Sequence, residues 1–589
     1  MALGWLNSLN EEQRQAVQGT EGPALILAGA GSGKTRVLTY RAAYLIREKG
    51  IAAERMLLLT FTNQAGKEMK NRIQKLLAGG PPPWAGTFHS WCAQVLRRDG
   101  RLAGIAPDYV IYDDNDQQMA MKQVIEKLKL AVRDYRPRLV LGVISAAKNE
   151  LVGPLEYPQY VKGPWQERVA QLYLGYQRAL KEANALDFDD LLMETVKLWQ
   201  KQPQVLARYQ HKYQYVLVDE YQDTNQAQYV LTKMLAGRWR NLCAVGDMSQ
   251  SIYKWRGADF RNLQRLKDDF GDDLKIFRLE HNYRSTQPIL DAAHAVVSHN
   301  TSHPILNLWT DKHEGELIKV FEAGDEREEA QFIVSTINNA KLSDYAVLYR
   351  TNAQSRVIEE ALIKWSIPYR LIGGTRFYER AEVKDCLAYL RLITNPKDKV
   401  AEERIKKLGK RRWEKFESVN SLWQMAKGKN TLELLDEVLR VTGYLELYNE
   451  EDEEEAMRLE NIKELRSVAE EWPKLTEFLE TVALVEHRRD TANGGENKVT
   501  LMTLHAAKGL EFPVVFIVGM EEGLFPHSRS LMDKEELEEE RRLAYVGITR
   551  AKDRLYLTYA RRRLYFGQRG EMMRSRFIGE IPDAIMKRL

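Results

Sequence analysis

Ala24-Leu25-Ile26-Leu27-Ala28-Gly29-Ala30-Gly31-Ser32-Gly33-Lys34-Thr35-Arg36 is the stretch whose reading decides the fold. Residues 24–27 are an unbroken apolar run, as expected of a strand buried on both faces. After the small residues, Leu38, Ala42 and Leu45 recur at i, i+4 and i+7, the spacing of one helix face. A strand, a small-residue turn and a helix in that order let successive backbone N–H groups wrap a phosphate at a helix N-terminus. In this pattern Lys34 reaches the β- and γ-phosphates of a nucleotide and the Thr35 hydroxyl ligates Mg²⁺. The general pattern starts with glycine where this chain has Ala28. A ligand-free turn before a helix is the bland alternative, and the flanking elements together with Gly33-Lys34-Thr35 speak against it.

Working outward, the apolar runs 56–59, 215–218 and 242–245 each end in polar residues. Strands alternating with helices imply an α/β fold with a parallel sheet, and such sheets bind ligands at the carboxyl ends of their strands. The run 215–218 ends in Asp219-Glu220. An Asp at a strand tip can hold Mg²⁺ while the adjacent Glu orients or deprotonates water, the division of labour that phosphoryl transfer needs. Alone, such a tip is a weak signal; paired with the loop it is a strong one.

From residue 90 to 186 the alternation lapses, and Met121, Val124, Ile125 and Leu128 form a helical stripe. Strand-like runs return at 345–349, 500–503, 514–518 and 554–558. They are interrupted from about 380 to 497 by charged, helix-like sequence carrying Leu432, Leu435 and Leu439. The expected organisation is two α/β cores, each split by a mainly helical insertion: 1–89 with 187–277, insertion 90–186; then 278–380 with 498–589, insertion 381–497.

Composition narrows the class. At 589 residues the chain exceeds one core, and 44% hydrophobic residues suit a globular protein. No window approaches the roughly 20 apolar residues of a membrane helix. The start, Met1-Ala2-Leu3-Gly4-Trp5, lacks the charged-then-apolar pattern of a secretion signal. Three distant cysteines, Cys92, Cys243 and Cys386, argue against a disulfide framework and for a reducing cytoplasmic setting. A net charge of only +4 means that any nucleic-acid site must come from local arrangement.

An ordered series of further motifs resembles the UvrD/Rep/PcrA helicases (superfamily 1A). It comprises Leu9-Asn10-Glu11-Glu12-Gln13, Thr60-Phe61-Thr62-Asn63, Gly86-Thr87-Phe88-His89-Ser90 and Asp219-Glu220-Tyr221-Gln222-Asp223. Gln250-Ser251-Ile252-Tyr253-Lys254-Trp255-Arg256-Gly257 and Asn282-Tyr283-Arg284-Ser285 follow. The series ends with Thr503-Leu504-His505-Ala506-Ala507-Lys508-Gly509-Leu510-Glu511-Phe512 and Ala544-Tyr545-Val546-Gly547-Ile548-Thr549-Arg550-Ala551. The resemblance implies two RecA-like P-loop domains with ATP and Mg²⁺ between them. On the first domain it assigns Gln13 to the base and the loop Ala28, Gly29, Ala30, Gly31, Ser32, Gly33, Lys34, Thr35 and Arg36 to the phosphates. Thr35 and Asp219 fall to the metal, and Glu220 and Gln250 to catalysis. On the second domain it implies Tyr283 stacked on adenine, Glu511 near the ribose, and Arg284 and Arg550 at the γ-phosphate.

Aromatic and imidazole side chains cluster in the same motifs: Phe61, His89, Phe188, Tyr253 and Trp255. A ring stacked on a base contributes ~1–3 kcal/mol without reading sequence, which suits a motor that must pass every base. Thr62, Asn63, Arg256, Arg350, Asn352 and His505 are candidates for the backbone of single-stranded DNA. The resemblance places a strand-separating ring at Phe566. Beside it, Arg561-Arg562-Arg563 reads either as a phosphate clamp or as a solvated face. Core packing is the ordinary fate of a single Phe or Trp, but Trp255 between Lys254 and Arg256 points to a wet, electropositive position.

The resemblance therefore implies a 3′-to-5′ DNA translocase and helicase acting at single-strand/duplex junctions. Such a motor works as a monomer or weak self-associate, with accessory repair or replication proteins. The second insertion departs from the pattern: Lys406-Lys407-Leu408-Gly409-Lys410-Arg411-Arg412-Trp413 stands where a glycine-rich duplex-gripping turn is expected, and the insertion is short. Rival readings are a protein-displacing translocase that unwinds little, an ATP-gated DNA clamp, and a small-molecule kinase. The kinase gives no role to Trp255 or to the second core.

Overall fold

The computed structural model describes residues 4–132, 134–425, 428–450, 452–487, 495–565 and 568–589. Its contacts divide the chain into two units: Met1–Tyr283 with His303–Leu308, and Arg284–Ser302 with Trp309–Leu589.

The first unit is built on β1 (Ala24–Ala28), β2 (Met56–Thr60), β3 (Trp84–Thr87), a small parallel pair β4 (Val110–Ile111) and β5 (Ala185–Leu186), then β6 (Tyr215–Val218), β7 (Leu242–Gly246) and β8 (Lys275–Leu279). Six of these form one parallel sheet in the order β3-β2-β6-β7-β1-β8. Because every strand runs the same way, every carboxyl end opens on the same rim. Apolar clusters cover both faces, one including Leu25, Leu57, Val216 and Ala244, the other Ile26, Leu58, Leu217 and Val245. Alternate residues of each strand serve opposite faces, which is why these strands are continuous apolar runs. The chain leaves β1 for β2 on one side and later adds β8 on the other. The loop after β1 therefore lies at the switch point where α/β sheets bind ligands.

The insertion after β3 is helical, with its own core of Met121, Val124, Ile125, Val140, Ile144, Tyr173 and Tyr176. The expected stripe is buried at Met121, Val124 and Ile125, whereas Leu128 is the cap residue after helix Asp114–Lys127 and is exposed.

The second unit carries β9 (Ile318–Ala323), β10 (Tyr345–Tyr349), β11 (Tyr369–Ile372), β12 (Val499–Thr503), β13 (Phe512–Ile517), β14 (Ala551–Ala560), the antiparallel hairpin β15 (Arg562–Tyr565) and β16 (Gln568–Glu571), and β17 (Met586–Arg588). Seven make a parallel sheet ordered β11-β12-β10-β13-β14-β9-β17. Between β11 and β12 lies a helical subdomain from Ala381–Thr394 to Leu475–His487, cored by Leu390, Ile405, Phe416, Leu435, Ile462 and Phe478. Arg356 to Glu464 at 2.6 Å and Arg380 to Asn461 at 2.6 Å fasten it to the sheet-bearing part.

The boundary between the cores falls later than the expected 277/278. β8 pairs with β1 along its whole length, Asn282 Nδ2 donates to the Ala30 carbonyl at 2.7 Å, and the Tyr283 N–H donates to the Gly31 carbonyl at 3.0 Å. Tyr283, expected in the second core, therefore belongs to the first unit. The turn after β1 exposes carbonyls that need donors, and residues 282–283 supply them.

Candidate nucleotide site and nucleic-acid interface

The turn after β1 owes its shape to glycines. Gly31 (φ 68°) and Gly33 (φ 90°) occupy the left-handed region that side chains resist, and Gly33 precedes helix Lys34–Arg47. Lys34 Nζ lies over this turn, donating to the carbonyls of Ala28 (3.2 Å) and Gly29 (3.4 Å). Gln13 is buried, and its side-chain amide donates to the Ser32 carbonyl at 2.9 Å. A reciprocal capping box with Asn10 fixes its helix. Arg36 donates to the Ser8 carbonyl at 2.9 Å.

Two strands away, Asp219 caps β6. Its Oδ2 accepts from the Thr35 hydroxyl at 3.2 Å, so the helix after the turn and the tip of β6 meet at one point. Burial, then the neighbouring Glu220 charge, pushes the Asp219 carboxyl up to about 7, against the opposing pull of Lys34 and Thr35. A buried carboxylate beside a second acid is poorly solvated, and a cation next to it would relieve that cost. Glu220 stands at φ 51°, a strained setting for a side chain, and its carboxylate accepts from Gln222 Nε2. Gln222 Oε1 accepts from the Asp247 N–H at 3.0 Å, and Gln250 Nε2 donates to Asp247 Oδ2 at 2.6 Å. Hydrogen bonds thus link Glu220 through the Gln222 side chain to the Asp247 backbone N–H, and the Asp247 carboxylate to Gln250. Gln222 and Asp247 were not picked out from the sequence, although both lie in or beside the quoted motifs. His303 was invisible there: its ring faces the Ser249 hydroxyl at 3.1 Å across 54 positions of sequence. Among the described residues no group of three or more His, Cys, Asp or Glu side chains forms a protein-only metal cage.

On the same rim Phe61 and His89 follow β2 and β3, Phe188 opens the helix after β5, and Tyr253 and Trp255 lie in the segment beyond β7. Phe61 packs edge-on to Phe88 at 6.2 Å, and Phe188, 47% exposed, meets His89 edge-on at 6.1 Å. Tyr253 meets Trp255 at 6.5 Å, and Trp255 is 42% exposed. Exposed rings of this size at a functional rim invite a ligand rather than a core role. Thr62 and Asn63 are exposed, and the Thr62 hydroxyl caps helix Asn63–Leu76 by accepting from the Ala65 N–H at 3.1 Å. The Arg256 side chain and Phe566 lie outside the described residues.

In the second unit Arg284 donates to Glu511 at 2.7 Å and to the Thr549 carbonyl at 3.1 Å, and Lys552 pairs with Glu511 at 2.7 Å. Arg550, 2% exposed, donates to the carbonyls of Val546 (2.9 Å) and Leu510 (3.1 Å) and to the Thr549 hydroxyl (3.1 Å). The two arginines therefore share one corner around Thr549. Arg350 is paired with Glu540 at 2.9 Å, Asn352 Nδ2 lies 4.0 Å from Met457 Sδ, and His505 is half-buried just after β12. In the arginine run, Arg561 and Arg562 are exposed. Arg563 is buried between Glu329 (2.7 Å) and Glu521 (2.6 Å), so at that position neither a phosphate clamp nor a solvated face stands.

Residues 9–271 match the UvrD/REP helicase N-terminal domain, and residues 277–438 and 414–562 match the UvrD-like helicase C-terminal domain. The chain belongs to the UvrD/REP helicases. It is 45% identical to the ATP-dependent DNA helicase PcrA of Bacillus subtilis (strain 168), over 99% of this chain and 87% of that protein. It is 43% identical to the PcrA of Staphylococcus aureus (strain Mu50 / ATCC 700699) over 99% and 87%, and 44% identical to that of Leuconostoc citreum over 99% and 86%. The family's two RecA-like halves correspond to the two parallel sheets. The two C-terminal matches overlap at 414–438, inside the second helical subdomain. In the basic stretch 406–413, Lys406 pairs with Glu402 at 2.6 Å and lies 4.9 Å over the Trp413 ring.

Proposed function

We propose that this helicase hydrolyses ATP to step 3′-to-5′ along single-stranded DNA and to open duplex ahead of it. The observation that carries the reading is the rim of the first sheet. A phosphate-type turn follows β1 at its switch point, the buried Asp219 ends β6, and Phe61 and His89 follow β2 and β3 of the same sheet, with the exposed Phe188 edge-on to His89.

In this reading the N–H groups of 29–35 hold the phosphates, Lys34 turns from the loop carbonyls to the β- and γ-phosphates, and Gln13 reads the base. Thr35 and Asp219 hold Mg²⁺, which when bound supplies positive charge against the phosphate oxygens. The hydroxyl–carboxylate pair suits an ion that keeps water and phosphate as its other ligands. Glu220, restrained by Gln222, orients the attacking water, and Gln250 reports the γ-phosphate to the following Tyr253–Trp255 segment. From the second unit, Tyr283's neighbour Arg284 and the buried Arg550 supply the cations that stabilise transferring charge, an effect worth ~10³–10⁵ in rate. Phe61, His89, Phe188, Tyr253 and Trp255 stack on bases, with Thr62, Asn63, Arg256, Arg350, Asn352 and His505 near the backbone and Phe566 at the fork. The setting is cytoplasmic DNA repair or replication.

The test is ATPase rate with and without single-stranded oligonucleotide, alongside unwinding of duplexes tailed at either end. Stimulation with unwinding only from 3′ tails is expected. Unwinding only from 5′ tails would reverse the polarity, and an ATPase indifferent to oligonucleotide would remove the motor reading.

A further inference from the structure

Helix Pro137–Asn149 ends in two residues whose side chains grip two different ring-bearing segments of the first unit. Lys148 is fully buried. Its ammonium donates to Asp187 Oδ2 at 2.6 Å and pairs with Asp190 Oδ1 at 2.8 Å. These two carboxylates are also the reciprocal cap of helix Phe188–Lys201. The Asp190 N–H donates to Asp187 Oδ1 at 2.9 Å, and the Asp187 N–H donates to Asp190 Oδ2 at 3.2 Å. Tyr176 adds its hydroxyl to Asp187 Oδ2 at 3.2 Å, and Gln177 adds its amide to Asp190 Oδ1 at 2.9 Å. All four carboxylate oxygens are therefore bonded, and the only residues between the two acids are Phe188, exposed against His89, and Asp189. A network this complete admits one arrangement of the turn.

The next residue, Asn149, faces the other way. Its Oδ1 accepts from Asn225 Nδ2 at 2.7 Å, and Asn225 is itself the N-cap of helix Gln226–Ala236. Asn149 also lies directly under Gly257: a Cβ placed there would sit 3.5 Å from Asn149 Nδ2. Gly257 closes the turn that carries Trp255, its N–H donating to the Lys254 carbonyl at 2.8 Å at φ 79°. The two side chains that end one helix thus support, through separate contacts, the turn of Phe188 and the turn of Trp255.

Resting on the reading of these rings as a base-stacking track, we propose that Lys148 and Asn149 are positioning residues that fix the spacing between Phe188 and Trp255. Neither touches DNA. The helix end acts as a ruler, holding both rings in register with successive bases, and orientation within a fraction of an ångström is what such supporting contacts provide. Burial would strip the proton from Lys148, but Asp187 and Asp190 hold its pKa above the ordinary lysine value, so the ammonium stays charged throughout the working range.

The experiment measures the single-stranded DNA concentration that half-saturates ATPase stimulation, for Lys148→Met, Lys148→Arg and Asn149→Ala, each alone and combined with Phe188→Ala or Trp255→Ala. Asn149→Ala is expected to raise that concentration about 5- to 10-fold with the DNA-independent rate unchanged. It should add nothing further on top of Trp255→Ala, yet multiply with Phe188→Ala. Lys148→Met should show the mirror image, sub-additive with Phe188→Ala and multiplicative with Trp255→Ala, and Lys148→Arg should recover part of the loss. If Lys148→Met does not fold, the Asn149 arm decides alone. Variants that melt earlier but half-saturate at the parent concentration would overturn the positioning role and leave the track intact. Phe188→Ala and Trp255→Ala that bind DNA like the parent would overturn the track and this inference with it.

Discussion

His89 follows β3, half-buried against Phe188, and burial pulls its pKa down to about 4. At neutral pH it is an uncharged ring, so in the proposed track it would stack or hydrogen-bond rather than bring charge. Replacing it with Gln should weaken single-strand affinity while leaving the slope of log affinity against log salt unchanged, because that slope counts cations at phosphates, at ~0.7 each for single strands. A slope shallower by such an increment would show that the imidazolium binds phosphate. The same shift makes a stability statement. The folded pKa lies below the unfolded 6.5, so this group's contribution is fully present above pH 6.5. It is lost as pH falls through 6.5 towards 4, by up to about 3 kcal/mol. A urea titration of His89→Gln at pH 8 and pH 5 should show a flatter acid limb than the parent. At this scale the loop was plain in the sequence, because Gly-Lys-Thr after an apolar run has few other uses. His303 against Ser249 was not, since nothing local marks which distant residue a folded chain brings to a motif.

Strands buried on both faces announce themselves as apolar runs, and β1, β2, β6, β7 and β10 stand within a residue of where the sequence puts them. β8 went unread because it is an edge strand: Lys275, Ile276 and Arg278 face solvent, and no apolar run remains to see. The hairpin β15–β16 teaches the converse. Three adjacent arginines look alike in sequence, but the fold buries Arg563 against Glu329 and Glu521 while Arg561 and Arg562 stay exposed. Removing it leaves two buried carboxylates without their cation. Arg563→Ala should therefore destabilise the second unit by about 3–5 kcal/mol in a melting or urea experiment. Arg561→Ala and Arg562→Ala should stay within about 0.5 kcal/mol of the parent. If the hairpin touches DNA through this run, the salt slope will move with Arg561 and Arg562. Equal stability of all three variants would refute the division.

Over the whole chain a helicase depends on coupling between a chemical step and a mechanical one, and in the proposed mechanism the corner around Thr549 is where the second unit senses the γ-phosphate. Arg550 is bonded to the Val546 and Leu510 carbonyls and to the Thr549 hydroxyl. The Thr549 carbonyl holds Arg284, and the Ser285 hydroxyl donates to the Ala551 carbonyl at 2.6 Å. In the proposed role these bonds hold both arginines in one corner, so contact of either with a γ-phosphate would bear on the other. Arg550→Ala should accordingly keep ATP binding and single-strand binding while cutting turnover by ~10³ or more. It should also lose the mutual effect of the two ligands. In the parent, a non-hydrolysable ATP analogue must change DNA affinity by the same factor by which DNA changes analogue affinity, since coupling free energies are reciprocal. In Arg550→Ala both factors should fall towards one together. Turnover lost with the coupling factor intact would make Arg550 a stabiliser of charge alone and move the mechanical link to Arg284. Unchanged turnover would remove Arg550 from the reaction.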